Sequence, residues 1–203
     1  KKRVIQLGEN PKKVFNVGAL AMDNIYNSKL YSKNFLFKKF KILTKKKLAV
    51  VTFHPVTKNN INYKDQIKTF LDALNKVKEF YYIFTYNNSD TLGKNFIRSI
   101  NNFVKYNDNS KIFKTMGTKI YLSFIKSADV VVGNSSSGIY EAPALKTITL
   151  NIGNRQEGRI FGDSIINSRN ETNEIEKKLR KIYKNKFKVN YKNIYYKKNV
   201  SEI

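Results

Sequence analysis

The 203-residue sequence contains no cysteine and no tryptophan, one histidine and only three prolines. Without cysteine, the chain can form neither disulfide bonds nor a thiolate zinc site. One histidine and 15 acidic residues also exclude a histidine-rich metal centre. No apolar run approaches the roughly 20 residues that span a bilayer, and no apolar segment follows the basic N-terminus to make a signal peptide. We therefore expect a cytoplasmic protein without membrane-spanning segments.

The shortage of acidic residues leaves a formal net charge of +24. A charge of this size is the first sign of a nucleic-acid-binding protein. The lysines, however, are spread along the whole chain, and the aromatic residues fall mostly in predicted strands and on apolar faces of predicted helices. A nucleic-acid-binding module therefore stays an alternative. We favour solvated lysines that attract anionic small molecules, and we expect no nucleic-acid or membrane partner.

Apolar residues make up 41% of the chain, which is enough for a buried core. Strands and helices alternate from about Lys46 to Lys184. The predicted strands are 46–53, 81–86, 111–115, 129–132 and 147–152, and the predicted helices are 63–80, 91–106, one that ends near 128, 139–145 and 172–184. This alternation predicts an α/β fold, a doubly wound parallel sheet of about five strands with helices on both faces.

Residues 1–45 fit this pattern less well. We expect residues 1–45 to be the end of another Rossmann-like domain plus a connector, packed loosely beside a domain of residues 46–185, with residues 186–203 as a tail that leads to a truncated final helix. The elements predicted there are the end of a helix at 1–7, a strand at 14–17 and a connector at 31–45. Four phenylalanines are expected to be exposed, namely Phe15, Phe35, Phe37 and Phe40.

The strongest local signal is the loop of small residues Gly133–Gly138, which follows an apolar strand and precedes a helix. Backbone N–H groups at a helix N-terminus, together with serine hydroxyls, suit a phosphate or diphosphate. Glu141, in the first turns of that helix, is placed to reach vicinal hydroxyls such as those of a ribose. The alternative is a serine-capped helix that binds no ligand.

Two further strand ends carry polar residues of interest. The loop 151–159 contains Arg155 and Arg159, and two arginines in a glycine-containing loop can clamp phosphate oxygens. His54, the only histidine, follows the first predicted strand, where acid–base chemistry or phosphate contact is plausible. The alternatives are ordinary surface charges and a structural histidine. Neither a GxGxxG dinucleotide motif nor a GxxxxGKS phosphate loop occurs.

Four segments in collinear order resemble the hydrolysing UDP-N-acetylglucosamine 2-epimerases. They are RVIQLGENPKKVFNVG (3–18), VTFHPVT (51–57), MGTKIYLSFIKSADVVVGNSSSGIYEAPAL (116–145) and NIGNRQEGR (151–159). The resemblance covers nearly the whole chain and identifies it as the C-terminal half of such a protein, with the N-terminal domain largely missing. It implies the GT-B architecture, in which two Rossmann-like domains face a cleft.

The resemblance also implies an activity. The family converts UDP-N-acetylglucosamine to UDP and N-acetylmannosamine for the synthesis of sialic or related nonulosonic acids. UDP is eliminated to leave a 2-acetamidoglucal, and water is then added from the opposite face of C2. No metal or redox cofactor is expected, and the full-length protein is expected to be a homo-oligomer.

By match to the family motifs, eight residues receive roles. Ser135, Ser136 and Arg155 would bind the diphosphate, Glu141 would hold the ribose, and His54 would assist the departure of UDP. The stretch 113–117 would contact uracil, largely through backbone groups, and its candidate residues are Phe113, Met116 and Gly117.

Two reservations accompany these roles. The acidic catalytic residues of the family belong to the missing domain, so we expect the isolated chain to bind UDP without turnover. A GT-B glycosyltransferase also places a glutamate on the ribose after a serine- and glycine-rich loop, and it is the alternative function. The GNRQEGR loop favours the epimerase.

Overall fold

A six-stranded, all-parallel sheet forms the centre of the computed structural model, which describes residues 1–19, 21–56, 62–86 and 91–196. Its strand order is β3-β2-β1-β4-β5-β6. The strands are β1 (Lys47–Thr52), β2 (Phe80–Thr85), β3 (Ser110–Phe113), β4 (Val130–Gly133), β5 (Thr149–Ile152) and β6 (Ile165–Ser168). The order reverses between β1 and β4, so this junction is the topological switch point of a doubly wound fold. The predicted α/β, Rossmann-like fold is confirmed.

Helices cover both faces of the sheet. The α-helices of the described residues are α1 (Lys2–Gln6), α2 (Ala21–Asn27), α3 (Lys33–Lys39), α4 (Tyr63–Asn75), α5 (Thr91–Lys105), α6 (Gly117–Ser127), α7 (Ser137–Ala144) and α8 (Thr172–Tyr183). Helices α4, α5 and α8 share one apolar cluster with the sheet, and α3, α6 and α7 share another. No helix in the described part of the chain has the length and apolar character needed to cross a membrane.

The central strand β1 shows how the sequence supports two cores. Ala49 and Val51 pack in the α4–α5–α8 cluster, while Leu48 and Val50 pack in the α3–α6–α7 cluster. Alternate residues of a strand point to opposite faces, so a strand covered by helices on both sides must be apolar throughout. This is why β1 appears in the sequence as a continuous run of apolar residues rather than as an alternating pattern.

Three elements differ from the predictions. The sheet has a sixth strand, β6, which lies at its edge. The two middle residues of β6, Ile166 and Asn167, are less buried than the two end residues. The predicted helix 63–80 ends at Asn75, and buried Phe80 opens β2 instead. The strand predicted at 14–17 does not form, because no described strand lies beside it. Residues 57–61, 87–90 and 197–203, the last of which belong to the predicted tail, lie outside the described residues.

The segment 31–45, expected to be a connector, is part of the packed structure. Ser32 caps α3, since its Oγ accepts a hydrogen bond of 3.2 Å from the Phe35 N–H. Leu36 and Ile42 are buried in the α3–α6–α7 cluster. The expectation of loose packing is therefore wrong for this segment, because the apolar face of α3 covers one side of the sheet.

The four phenylalanines divide accordingly. Phe15 and Phe35 are exposed to 73% and 42%, as expected. Phe37 and Phe40 are instead half-buried against the core, and the Phe40 ring lies 4.9 Å from that of Phe113. The expectation of exposure is wrong for these two, while the proposed domain boundaries stay a prediction.

We predict that Leu36→Ala lowers the free energy of unfolding by about 2–5 kcal/mol, the usual effect of emptying a buried leucine site. The matched control is Leu43→Ala, because Leu43 is 96% exposed and its loss should change the free energy of unfolding by less than about 0.5 kcal/mol. Urea denaturation followed by circular dichroism measures both. Equal stability of the two variants would show that α3 is not part of the cooperative unit.

Candidate functional site

All eight residues given a role from the sequence line one cavity of about 530 Å³ at the carboxyl edge of the sheet. They are His54, Phe113, Met116, Gly117, Ser135, Ser136, Glu141 and Arg155. The cavity extends over the ends of β1, β2, β3 and β4, on the side of α6 and α7. It therefore lies at the switch point, where open parallel sheets bind their ligands.

Asn134 joins the two strand ends that meet there. It is fully buried, and its backbone N–H donates to the Thr52 carbonyl at 3.2 Å. Its side-chain Oδ1 accepts from the His54 N–H at 2.7 Å, and its Nδ2 donates to the His54 carbonyl at 2.9 Å. One carboxamide thus satisfies both backbone groups of His54 and fixes the position of that residue.

The carbonyl of Asn134 extends this network to the loop after β5. It accepts from Arg155 Nη1 at 3.1 Å and from Gln156 Nε2 at 2.7 Å. The pKa of Arg155 is lowered by burial and by the charge of Arg159, so the site holds a cation whose charge is only partly compensated. This role of Asn134 in joining the strand ends was not predicted from the sequence. The sequence feature that indicates it is a polar residue placed between a buried strand and the serines.

The second arginine of the loop does not join this site. Arg159 Nη1 donates to Tyr140 Oη at 2.6 Å, and Arg159 does not line the cavity. The expected clamp of two arginines is therefore wrong, because the ring of Tyr140 holds Arg159 outside the cavity. A single arginine, Arg155, is available to an anion there.

Gly133 allows the close approach of β1 and β4 at this point. Its φ is +136°, and a Cβ at this position would lie 2.0 Å from the carbonyl oxygen of Thr52. Any side chain would therefore push apart the two strand ends that Asn134 joins.

The serine loop leads into the N-terminus of α7. Ser135 Oγ accepts from the Ser137 N–H at 3.3 Å and from Ser137 Oγ at 3.1 Å. Ser137 Oγ is 2.5 Å from Tyr121 Oη, whose pKa is raised by burial. Ser136, the residue before α7, makes no side-chain capping hydrogen bond. The serine that accepts an N–H of α7 is therefore Ser135 and not Ser136.

Glu141 carries an unusual carboxylate. Its Oε2 is buried and has no hydrogen-bond partner among the described residues. Burial raises the pKa of this carboxyl above its ordinary value of 4.5. A buried polar atom without a partner is destabilising by about 1–3 kcal/mol, so a ligand that donates hydrogen bonds to Glu141 would gain affinity.

The expected uracil residues lie at the other end of the cavity, between β3 and α6. The Phe113 ring packs against Phe40 and Phe124, with centroids 4.9 and 5.9 Å away. Because the ring contributes to the core, the backbone of this stretch is the part available to a ligand. Gly117 is exposed and has a φ of +71°.

Comparison with known proteins places this geometry in a family. The family model described as UDP-N-acetylglucosamine 2-epimerase matches residues 1–203. The chain belongs to the UDP-N-acetylglucosamine 2-epimerase family. The resemblance inferred from the sequence motifs is thereby confirmed, and the relatives of this chain include named enzymes.

Two relatives are 40% identical to this chain. One is the GDP/UDP-N,N'-diacetylbacillosamine 2-epimerase (hydrolyzing) of Campylobacter jejuni, over 94% of this chain and 49% of the relative. The other is polysialic acid biosynthesis protein P7 of Escherichia coli, over 86% of this chain and 44% of the relative. The chain thus spans about half the length of the curated relatives that it matches.

Among solved structures, the Methanocaldococcus jannaschii UDP-GlcNAc 2-epimerase in complex with UDP-GlcNAc and UDP superposes with a TM-score of 0.70. The match covers 99% of this chain and 56% of that one, at 16% identity. At this identity the likeness establishes a shared fold.

We predict that Glu141→Gln stabilises the protein at neutral pH. The pKa of this carboxyl is higher in the folded protein than its ordinary value of 4.5, because burial disfavours ionisation. The free energy of unfolding therefore falls as the pH rises from 4.5 to the pKa of the folded state. The variant should therefore have the higher free energy of unfolding near pH 7 and should match the parent near pH 4. Denaturation at both pH values measures this.

The control is Glu157→Gln, which changes an exposed glutamate in the loop after β5. It should match the stability of the parent at both pH values, because it keeps Glu141. Equal stability of Glu141→Gln and the parent near pH 7 would contradict a desolvated carboxylate at position 141.

Proposed function

We propose that this chain is the UDP-binding half of a hydrolysing 2-epimerase that releases UDP from an N-acetylated UDP-sugar. The observation that supports this most directly is the single cavity shared by the eight residues of the family motifs. In the proposed reaction the bond from C1 to the UDP oxygen breaks, C2 loses its proton, and the 2-acetamidoglucal then takes up water to give the free C2 epimer.

The diphosphate is proposed to bind at the N-terminus of α7. Backbone N–H groups and the helix dipole favour an anion there. The hydroxyls of Ser135 and Ser136 line the same cavity, as does the guanidinium of Arg155. Among the described residues, the Asn134 carbonyl accepts one of the donors of Arg155, so the other N–H groups are proposed to bind phosphate oxygens.

Glu141 is proposed to bind the ribose. Vicinal hydroxyls can donate to both oxygens of one carboxylate. In the structure Glu141 Oε2 has no partner within the described residues, so the ribose would satisfy an atom that the protein leaves without a donor.

His54 is proposed to assist the departure of UDP. Asn134 holds its backbone beside the serine loop, so the imidazole lies at the edge of the diphosphate site. As an acid, His54 would donate to the leaving phosphate oxygen, while a different group takes the C2 proton. One histidine cannot perform both steps on opposite faces of the sugar, so we expect the chain by itself to bind UDP without turnover.

The alternative is a GT-B glycosyltransferase, which would use the same nucleotide site. The match of the epimerase family model to the whole chain favours the epimerase. Product analysis separates the two: an epimerase releases UDP and a free C2-epimeric sugar from the UDP-sugar alone, whereas a glycosyltransferase requires an acceptor.

The biological setting is proposed on the names of the relatives. These names contain UDP-N,N'-diacetylbacillosamine and polysialic acid. They support a role in the synthesis of sialic or related nonulosonic acids. The two candidate substrates are UDP-N-acetylglucosamine and UDP-N,N'-diacetylbacillosamine. A homo-oligomeric full-length protein and a cytoplasmic location stay predictions.

We predict that Arg155→Ala weakens UDP binding by about 1.5–3 kcal/mol, the usual value of a hydrogen bond to a charged group. Arg159→Ala is the matched control, because Arg159 belongs to the same loop but contacts Tyr140. Titration calorimetry with UDP measures both. If the two variants bind UDP equally well, Arg155 does not contact the diphosphate.

Glu141→Ala should weaken UDP binding and leave inorganic pyrophosphate binding unchanged, because the proposed partner of Glu141 is the ribose. A parallel loss for both ligands would instead place the carboxylate near the phosphates.

A coupled assay for UDP release from UDP-N-acetylglucosamine tests the absence of turnover, and clear release by this chain would show that the catalytic groups are misassigned.

A further inference from the structure

A second cavity, of about 700 Å³, opens at the same edge of the sheet but on its other face, between α4 and α8. None of the eight residues assigned above to UDP lines it. Its wall includes Asn134, whose carbonyl holds Arg155, and Asn154, the neighbour of Arg155. The two cavities therefore adjoin along the line of His54, Asn134 and Arg155. A group attached to a diphosphate in the first cavity would have to extend past Asn134 to reach the second.

The lining of this cavity suits a neutral ligand with amide and hydroxyl groups. Phe53, Val56 and Ile152 supply apolar surface. Carboxamides and hydroxyls supply donors and acceptors, and the residues that carry them are Thr69, Asn154, Asn167 and Asn170. A volume of this size lies within the usual range for small-molecule sites, about 300–1,000 Å³.

The charged residues at this cavity are largely paired with one another. Arg169 contacts Glu171 at 3.1 Å and Glu174 at 2.8 Å. Hydrogen bonds from Lys178 and Arg169 lower the pKa of Glu174 to about 2. Asp65 adds an exposed carboxylate, so the lining carries two acidic side chains and one arginine. This balance disfavours a phosphate, whereas carboxylates accept hydrogen bonds from sugar hydroxyls.

The wall is held in place before any ligand binds. Gln66 Oε1 accepts from the Val56 N–H at 3.1 Å, and Gln66 Nε2 donates to the Val56 carbonyl at 2.9 Å. Asn170 Nδ2 donates to the Gln66 carbonyl at 3.0 Å. Asn170 Oδ1 is buried without a partner among the residues that the structure describes. A preformed wall reduces the ordering that binding would require, and it retains an acceptor for an N–H donor.

We propose that this α4–α8 cavity binds the part of the sugar ring remote from C2, and that its carboxamides and apolar surface select a second acetamido group there. The inference rests on the proposed function, because the diphosphate must occupy the first cavity. It goes beyond that function by choosing between the two candidate substrates: the diacetylated UDP-sugar should be preferred to UDP-N-acetylglucosamine.

The test compares three ligands, UDP, UDP-N-acetylglucosamine and UDP-N,N'-diacetylbacillosamine, by titration calorimetry with the 203-residue chain. We expect the diacetylated sugar to bind about tenfold more tightly than UDP-N-acetylglucosamine, the effect of one added hydrogen bond and a buried methyl group. Thr69→Phe, which fills the cavity from α4, should abolish this preference and leave UDP affinity unchanged. Lys68→Phe is the control, because Lys68 lies next to Thr69 on α4 but does not line this cavity.

Each outcome has a distinct meaning. If the parent chain does not bind UDP, the proposed function fails at its first step. If UDP binds but the two sugars bind equally, or if Thr69→Phe keeps the preference, the α4–α8 cavity does not bind the sugar. Unchanged UDP affinity also shows that a variant is folded. Should Thr69→Phe lose UDP binding, the smaller Thr69→Leu replaces it, and a preference that persists with Thr69→Leu overturns the inference.

Discussion

The carboxamide of Asn134 is the interaction on which the site depends. The carboxamide bonds the backbone N–H and carbonyl of His54. The backbone of Asn134 bonds Thr52, Arg155 and Gln156. These residues come from three separate strand ends, after β1, β4 and β5. A fully buried amide with every polar group engaged has little freedom to move. The relative positions of the histidine, the serine loop and the arginine are therefore determined by one residue, through its side chain and its backbone.

The site also contains groups that the fold leaves without partners. Glu141 Oε2 and Gln156 Oε1 are both buried, and neither has a hydrogen-bond partner in the described part of the chain. Structural interactions alone would favour residues whose polar atoms are all satisfied. Of these two residues Glu141 lines the cavity proposed for UDP, where a ligand can complete its hydrogen bonds.

Most of the fold was predictable because each central strand is apolar on both faces, as Leu48–Val51 illustrate. Edge and peripheral elements were not, since their patterns are weak. Strand β6 is short and only half apolar, and α3 appears as a run of lysines and phenylalanines in which Leu36 alone is fully buried. Segment 14–17 has the composition of a strand but no described neighbour to pair with, and composition does not reveal a neighbour.

The candidate site was predictable where motifs follow strands, and this applies to His54, Ser135, Glu141 and Arg155. It was not predictable where the outcome depends on side-chain direction. The loop by itself does not separate Arg155 from Arg159; the match to the family motifs selects Arg155, and the position of Tyr140 shows why Arg159 lies outside the cavity. The α4–α8 cavity could not be anticipated either, because its residues come from five separate segments and two of these, 65–69 and 167–174, belong to no motif.

The parallel pairing of β1 with β4 has a consequence for folding kinetics. Ala49 lies opposite Val130, whereas Lys47 lies opposite Phe80 in the pair of β1 with β2. Closing a longer loop has a higher entropic cost, and contacts between distant parts of a chain form slowly. The bonds of Asn134 to Thr52 and His54 exist only after the longer loop has closed. A refolding chain should regain its helices and the β1–β2 pair first, and nucleotide binding should return with the final step.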